Sequence, residues 1–490
     1  MRARRITLGH LALAATLLAG CKVGPDYVRP EPLPGAVVPA NFAEATPTNG
    51  VSWQAAQPAA HLPRGAWWKM FADTNLDRLE ELAALGNQDL AVSAARFEQA
   101  RAQVNVTRAD YFPQAELDPS YVRQRSSYNV PENGVAAGVS PTYNTFTAQL
   151  QAGWEVDFWG RVRRQVESAR AQLTAGADDL EAVKLAVHAE VALDFFSLRS
   201  LEAEDRLIER TVEAYRRSLE LTANRRKGGI ASDLDVAQAE TQLRSAEAVL
   251  PSLRLQQARL VHALATLCGR EAQGFDPASA PAPLAEPPPV PALVPSALLE
   301  RRPDIAAAER RMAAANAQVG VSQTAFYPHL RVNGLAGFQS IDASSWFDWP
   351  SRLWSVGPSL QLPLFTGGRN RATLAYSRAA YDETVASYRR AVLGAFQEVE
   401  DQLAAQRWLE AQLEAEQAAL KAAQTTLAIA NNRYQAGLTT YLEVATAQSA
   451  ALALERSVVQ LRAAKLETAV GLIKALGGGW EAAPLTAQVR

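Results

Sequence analysis

Two copies of one unit, each holding a very long proline-free stretch, constrain what this chain can fold into. Asn224-Arg225, followed by Gly229-Ile230-Ala231-Ser232-Asp233-Leu234-Asp235-Val236-Ala237, recurs 208 positions later. The second occurrence reads Asn432-Arg433, then Gly437-Leu438-Thr439-Thr440-Tyr441-Leu442-Glu443-Val444-Ala445. Glu190-Val191 and Gly160-Arg161 return at the same spacing as Glu398-Val399 and Gly368-Arg369, whereas Ala102-Gln103-Val104 and Phe112-Pro113 return 215 residues on as Ala317-Gln318-Val319 and Tyr327-Pro328. A repeat of this kind means one structural unit built twice, with a length change inside it. No proline interrupts Arg161 to Lys227 or Arg369 to Ala436, and both stretches are crowded with helix-forming Ala, Gln, Glu, Leu and Arg. A continuous helix of that length would reach about 100 Å, which a globular core cannot use.

After each stretch comes a glycine turn, Gly228-Gly229 and then Ala436-Gly437, and a second helix with Ser232 or Thr440 placed as N-cap. In the first copy Val236, Leu243, Leu250 and Leu264 form a heptad series, with Leu253, Leu260 and Leu267 beside it. Val444, Ala451, Val458 and Leu472 repeat that series more weakly. Such stripes predict antiparallel coiled-coil hairpins, with a kink at Pro251 in the first.

Between the short and long helices of each copy the period changes from helical to two. Phe146, Ala148, Leu150, Ala152, Trp154 and Val156 alternate with Thr147, Gln149, Gln151, Gly153 and Glu155; Trp354, Val356, Leu360, Leu362 and Leu364 do the same with Ser355, Gly357, Ser359 and Gln361. Their partners are expected at Glu116 to Tyr128 and Leu330 to Ser340, joined by loops 129–140 and 342–352. Strands of about ten residues suit a tilted membrane barrel. Tyr111, Phe112, Phe158 and Trp159 at one level, and Trp346, Phe347 and Trp349 at the other, suit its aromatic girdles. Four strands cannot close such a barrel, and open edges are not tolerated in lipid, so copies of the chain must associate.

The N-terminus sets the compartment. Arg2, Arg4 and Arg5 precede an apolar run from Leu11 to Leu18, and Leu18-Ala19-Gly20-Cys21 has the form of a bacterial lipobox. Cleavage would leave Cys21 as an acylated first residue, and Lys22, where an aspartate would favour the inner membrane, points to the outer membrane. Only Cys268 then remains, which excludes an intramolecular disulfide framework. Its place at the end of a heptad series marks it as a core residue. After Cys21 no apolar run is long enough for a spanning helix.

The balance of 49 Lys and Arg against 51 Asp and Glu removes the electrostatic basis for nucleic-acid binding. His10, His61, His188, His262 and His329 show no metal-ligand spacing, and no nucleophile elbow or phosphate-binding loop appears. Gly367-Gly368-Arg369 follows a strand and precedes a helix, where it reads as a tight turn. The expectation is a protein without catalytic residues, metal or cofactor beyond the covalent lipid. The division is a signal peptide at 1–20, a lipidated segment at 21–72, a first repeat at 73–270 with strand hairpin 115–157, and a Pro/Ala-rich connector at 271–295. A second repeat at 296–476 with hairpin 329–365 and a tail at 477–490 complete the chain.

Several motifs together resemble the TolC superfamily of outer-membrane factors, in its lipoprotein efflux branch (NodT or OprM-like). They are Cys21-Lys22-Val23-Gly24-Pro25-Asp26-Tyr27 with Arg29-Pro30; Trp67-Trp68 with Phe71, Asp73 and Leu76; Asn87 with Leu90; and Arg301-Arg302-Pro303-Asp304-Ile305. Pro363-Leu364-Phe365 with Gly367-Gly368-Arg369, Arg433-Tyr434 with Gly437, and Ala475-Leu476-Gly477-Gly478-Gly479-Trp480 complete the set. The resemblance implies a mixed α and β membrane protein: a homotrimer whose four strands per chain complete a twelve-stranded barrel, continued by a periplasmic α-helical barrel. It also implies a periplasmic adaptor and an inner-membrane transporter of the RND type as partners, and a passive export function. A pore-less coiled-coil lipoprotein bracing the envelope is the alternative, but it would not need the alternating strands.

The same resemblance implies a gate where the second-copy helices meet, at Gln435 to Thr440. Arg433 and Arg225 are candidate latch donors, with Asp235 and Glu443 as acceptors; the alternative is that both arginines merely cap their helices. Relatives often carry an acidic residue just before the second-copy arginine. Asn431 and Asn432 stand here instead, which favours closure by hydrogen bonds over an acidic ring.

Overall fold

The computed structural model describes residues 22–32, 42–44, 65–125, 127, 142–277, 286–288 and 301–478. Cys21, the loop 129–140, Tyr128 and most of the connector and tail fall outside them. The chain weaves between two compact units. One is drawn from Met1–Glu31, Arg96–Gly176 and Ala308–Tyr388, the other from Pro32–Ala95, Ala177–Ala307 and Arg389–Arg490.

In the first copy a short 3-10 turn, Trp67–Phe71, precedes α1 (Thr74–Gly86), α2 (Gln88–Ala109), β1 (Gln114–Arg125), β2 (Thr142–Val156), α3 (Arg161–Lys227) and α4 (Asp233–Leu267). The second copy has α5 (Pro303–Thr324), β3 (His329–Ser340), β4 (Arg352–Gln361), α6 (Arg369–Gln435) and α7 (Tyr441–Ala475). The repeat survives to the residue in the helices: α2 and α5 are 22 residues long, α3 and α6 are 67, and α4 and α7 are 35.

Local chemistry explains where the long helices begin and end. Asp157 accepts the main-chain N–H groups of Val162 and Arg163 at 3.0 and 2.9 Å, satisfying donors that the first turn of α3 leaves open. At its far end Ile230 N–H donates to Arg225 O and Gly229 N–H to Arg226 O, with Gly229 at φ 73°. Leu438 and Gly437, at φ 75°, repeat that Schellman closure after α6. α4 runs unbroken through Pro251.

In the hairpin of α3 and α4, Ile208, Val212 and Tyr215 pack on Leu243, Ala246 and Leu253; in the second hairpin Leu413 packs on Val458 and Leu461. The first-copy heptad is only partly realised, since Leu243, Leu253 and Leu264 are buried while Val236, Leu250, Leu260 and Leu267 are half-buried. The weaker-looking second series is the better buried: Val444, Ala451, Val458 and Leu472 are all in the core. α7 is enclosed on more sides than α4, so its smaller residues are the ones that fit.

The unit containing α1 also encloses a polar pair. Glu80 is fully buried and lies 2.6 Å from His188 Nδ1, over which the Trp68 ring stacks at 4.5 Å. Burial pushes Glu80 up to about 9, with Asp77 adding to it, and pushes His188 down to about 4, with Lys184 adding to it. Both are neutral around pH 7 and share one proton in a hydrogen bond. Cys268 is buried nearby, its thiol directed at Leu79 O, as its place in the sequence suggested.

Candidate functional site

The four strands form one antiparallel sheet in the order β1-β2-β3-β4, so β1 and β4 are both open edges. Its register sorts the side chains onto two faces. Leu117 pairs with Leu150, Leu150 with Ala336, and Ala336 with Trp354. One step along, Asp118 pairs with Gln149, Gln149 with Gly337, and Gly337 with Leu353. Directly paired residues share a face and neighbours along a strand alternate.

The first face therefore carries Leu117, Tyr121, Phe146, Leu150, Trp154, Val332, Phe338, Trp354, Val356 and Leu360. The second carries Glu116, Asp118, Gln149, Gln151, Asn333, Gln339, Ser355 and Ser359. Leu117, Trp354, Val356 and Leu360 are each about two thirds exposed or more, an apolar area that water would not leave uncovered in a soluble sheet. The prolines of the sheet, Pro119 and Pro358, lie in the two edge strands, where a missing ladder donor is tolerated.

Strand boundaries differ from expectation. β1 runs Gln114–Arg125 rather than from Glu116 to Tyr128, and β4 ends at Gln361 rather than continuing through Leu364. Pro363 has no N–H with which to extend the ladder there. Of the expected aromatics, Phe158 and Trp159 pack together with Tyr327, and Trp346 and Phe347 pack together with Phe146.

At the helix turns one of the expected donors meets an expected carboxylate and the other does not. Arg433 does meet Glu443, at 3.4 Å, but this exposed pair closes one hairpin on itself. Among the described residues Arg225 donates to no carboxylate; its Nη1 donates to Gln435 O at 2.9 Å, and its guanidinium lies over the Tyr434 ring at 4.9 Å.

Thr440 does not cap α7 with its side chain. That role is taken from the other hairpin by Asp235, whose Oδ1 accepts Tyr441 N–H at 3.0 Å while Oδ2 accepts Ser232 N–H at 2.9 Å. Some burial raises the Asp235 pKa, but these hydrogen bonds and the nearby Arg225 outweigh it and hold the carboxyl below its ordinary value. Asn431 lines a groove of about 1080 Å³ with Ser218 and Gln448, and Asn432 is exposed.

Sequence reading missed the tyrosines. Tyr434 Oη donates to Thr222 Oγ1 at 3.2 Å, and Tyr441 Oη donates to Gln448 at 3.1 Å and accepts from Ser218 at 3.3 Å. Tyr434 and Tyr441 are the repeat equivalents of Arg226 and Asp233, which form an ion pair. Comparing the copies position by position would have exposed that difference.

Beside Cys21, the strap from Lys22 onward is fastened to its unit. Lys22 pairs with Glu167 at 2.8 Å, and Val23 N–H donates to Trp159 O. Arg164, with no exposed surface, donates to Val23 O at 3.1 Å, Gly24 O at 2.8 Å and Asp26 at 3.3 Å.

A twice-built unit of paired long helices and a four-stranded sheet with one apolar face defines a class of channel-forming envelope proteins. The family model described as outer membrane efflux protein matches residues 79–270 and 294–478, the two copies in turn. The toluene efflux pump outer membrane protein TtgC of Pseudomonas putida is 33% identical over 482 residues, covering 97% of this chain and 96% of that one. The pyoverdine export outer membrane protein OpmQ of Pseudomonas aeruginosa is 35% identical over 416 residues, 85% of this chain and 87% of that one. Among solved structures, the outer-membrane channel OprN superposes with a TM-score of 0.83 at 29% identity, covering 94% of this chain and all of that one.

The chain belongs to the outer membrane efflux protein family. It is an outer-membrane efflux channel of mixed α and β fold, and the pore-less brace is not favoured.

Proposed function

We propose that three copies join β4 of one to β1 of the next, closing a twelve-stranded barrel in the outer membrane, and that the helix hairpins continue it as a periplasmic duct. The sheet carries this reading: both edges are open, one face is apolar and the other polar. Lipid tolerates no unpaired strand edge, and closure by copies satisfies every edge at once.

The duct is a passive conduit, and the lipid on Cys21 tethers each chain beside its barrel. Energy comes from an inner-membrane transporter of the RND type, reached through a periplasmic adaptor. The hairpin turns support that partnership, since Ile230, Leu234, Leu438 and Leu442 are each more than half exposed at repeat-equivalent positions. Apolar side chains gathered there suit a protein partner. Relatives named for toluene and for pyoverdine indicate that the duct itself does not select one cargo.

Purified full-length protein, incorporated into planar bilayers and weighed by native mass spectrometry, should give single channels from a trimer. A monomer, or a trimer that never conducts, would overturn the proposal. Cys21→Ser should abolish acyl labelling; labelling that persists would remove the lipid from Cys21.

A further inference from the structure

We propose that the lipid-facing side of the sheet carries, at its loop end, an arginine band that binds the phosphates of the phosphorylated glycolipid in the outer leaflet. The inference rests on the barrel closure proposed above, and adds to it a lipid site on the outer wall.

The strand pairings place every charged residue of the apolar face at one end. Arg123 pairs with Asn144, Arg125 with Thr142, and Arg352 with Phe338, so all three arginines share the face of Leu117, Leu150 and Trp354. No Asp, Glu or Lys occupies that face among the paired strand residues. The arginines lie at the ends joined by the 126–141 and 341–351 loops. The opposite ends, Gln114, Val156, His329 and Gln361, lead into helices. With the helices in the periplasm, the arginine end faces outward.

Between the two ends the face is apolar from Val156 to Phe146 on β2, a tilted run about 25 Å tall, the height of a barrel's hydrocarbon band. The arginines begin where that band stops. They therefore sit at headgroup depth, where a lipid-facing arginine costs far less than at the midplane.

The chemistry at that depth selects the ligand. Guanidinium presents a planar fork that binds phosphate in a bidentate way, which lysine cannot. Arg123 and Arg352 are exposed; Arg352 is steadied over the Trp349 ring at 4.3 Å with Nη1 donating to Trp349 O at 2.8 Å. A guanidinium has five N–H donors, more than that contact uses. Asp342 and Asp348 follow beyond the strand ends in the β3–β4 loop, and Asp342 accepts from Ser344. Because Arg123 and Arg125 lie on one edge strand and Arg352 on the other, closing β4 against the next copy's β1 gathers all three at each seam. A glycolipid with two phosphates would bridge the seam and fasten neighbouring copies together.

The test titrates labelled lipid A, with both phosphates and with neither, into the full-length trimer in neutral detergent. Wild type should prefer the phosphorylated form by at least about ten-fold, the effect of one charge-assisted pair. R123Q/R125Q/R352Q should abolish the preference, R123K/R125K/R352K should keep part of it, and Arg331→Gln on the polar face should leave it intact. A wild type without preference, a preference surviving in the glutamine variant, or complete displacement by equimolar inorganic phosphate would each overturn the inference. If the glutamine variant does not assemble, the wild-type preference and the lysine variant decide. Conductance recorded on the same preparations separates the readings: a conducting trimer without preference refutes this band alone, and a protein that never conducts refutes the barrel beneath it.

Discussion

The carboxylate of Asp235, at the head of α4, accepts the main-chain N–H of Tyr441, the first residue of α7, at 3.0 Å. One side chain thus caps its own helix through Ser232 and the matching helix of the other hairpin. Losing an N-cap costs about 0.5–2 kcal/mol, and Asp235→Ala removes the cap of α7 together with the reciprocal half of the α4 capping box, leaving Ser232 as the N-cap of α4. Single-channel conductance of this variant should rise, with the trimer intact by native mass spectrometry. Because hydrogen bonding depresses the folded-state pKa, the stabilisation is present above the ordinary carboxylate value and is lost only as pH falls through the lower folded value. Wild-type conductance should therefore be unchanged down to pH 5 and rise only in stronger acid, and Asp235→Asn should remove that acid step.

Arg225 and Arg433 should separate in the same assay. Arg225 bridges the hairpins through Gln435 O and the Tyr434 ring, whereas Arg433 pairs with Glu443 inside one turn, an exposed contact worth about 0–1 kcal/mol. Arg225→Ala should raise conductance clearly, and Arg433→Ala should change it little. The reverse order would make the Arg433–Glu443 pair, and not the Arg225 bridge, the contact that limits conductance.

That contrast marks how far the sequence could be read. Helix lengths, the hairpins and both sheet faces follow from periodicity and the repeat, because burial imposes its period on every residue of an element. The contacts between the two hairpins follow from neither. Gln435 contributes only its backbone carbonyl, which every residue type possesses, and Asp235 caps a helix 206 residues away in sequence. Asn87 and Arg302 show the same limit. They are repeat equivalents, and each donates to a carbonyl at the end of a returning helix, Leu267 O at 2.9 Å and Ala475 O at 3.1 Å. Different side chains do one job, so residue identity could not reveal it.

On the sheet, Leu150 and Gln149 are neighbours on opposite faces. Leu150→Arg should cost about 2–4 kcal/mol near the midplane, and Gln149→Arg much less. Urea unfolding in lipid vesicles reads the difference, and equal losses would contradict the facing of the two sides.

The Glu80 and His188 pair predicts a plateau in stability against pH. Glu80 is an acid whose folded pKa, about 9, exceeds its unfolded one, so its contribution is full below about 4.5 and falls as pH rises toward 9. His188, lowered to about 4, loses its contribution as pH falls below about 6.5. The opposing slopes cancel between those ordinary values, and stability declines on either side. Glu80→Gln removes the alkaline limb. Its melting temperature should exceed that of wild type at pH 8 and converge with it near pH 4.5.

The strap that follows Cys21 should be the least tolerant of added volume. Gly24 sits at φ 101°, and a Cβ there would lie 2.4 Å from Gly320 Cα, a backbone atom that cannot rotate aside. Gly24→Ala must therefore lift the strap, withdrawing Val23 O and Gly24 O from Arg164. Stripping a buried guanidinium of two acceptors costs stability even with Glu167 still paired to it, so the fastened state is weakened and the strap should open more often. Hydrogen exchange at Val23, whose N–H donates to Trp159 O, should speed up in Gly24→Ala, while exchange in α4 and α7 stays as in wild type. Unchanged protection at Val23 would mean that the unit yields around the new methyl group, and that Arg164 does not hold the strap in place.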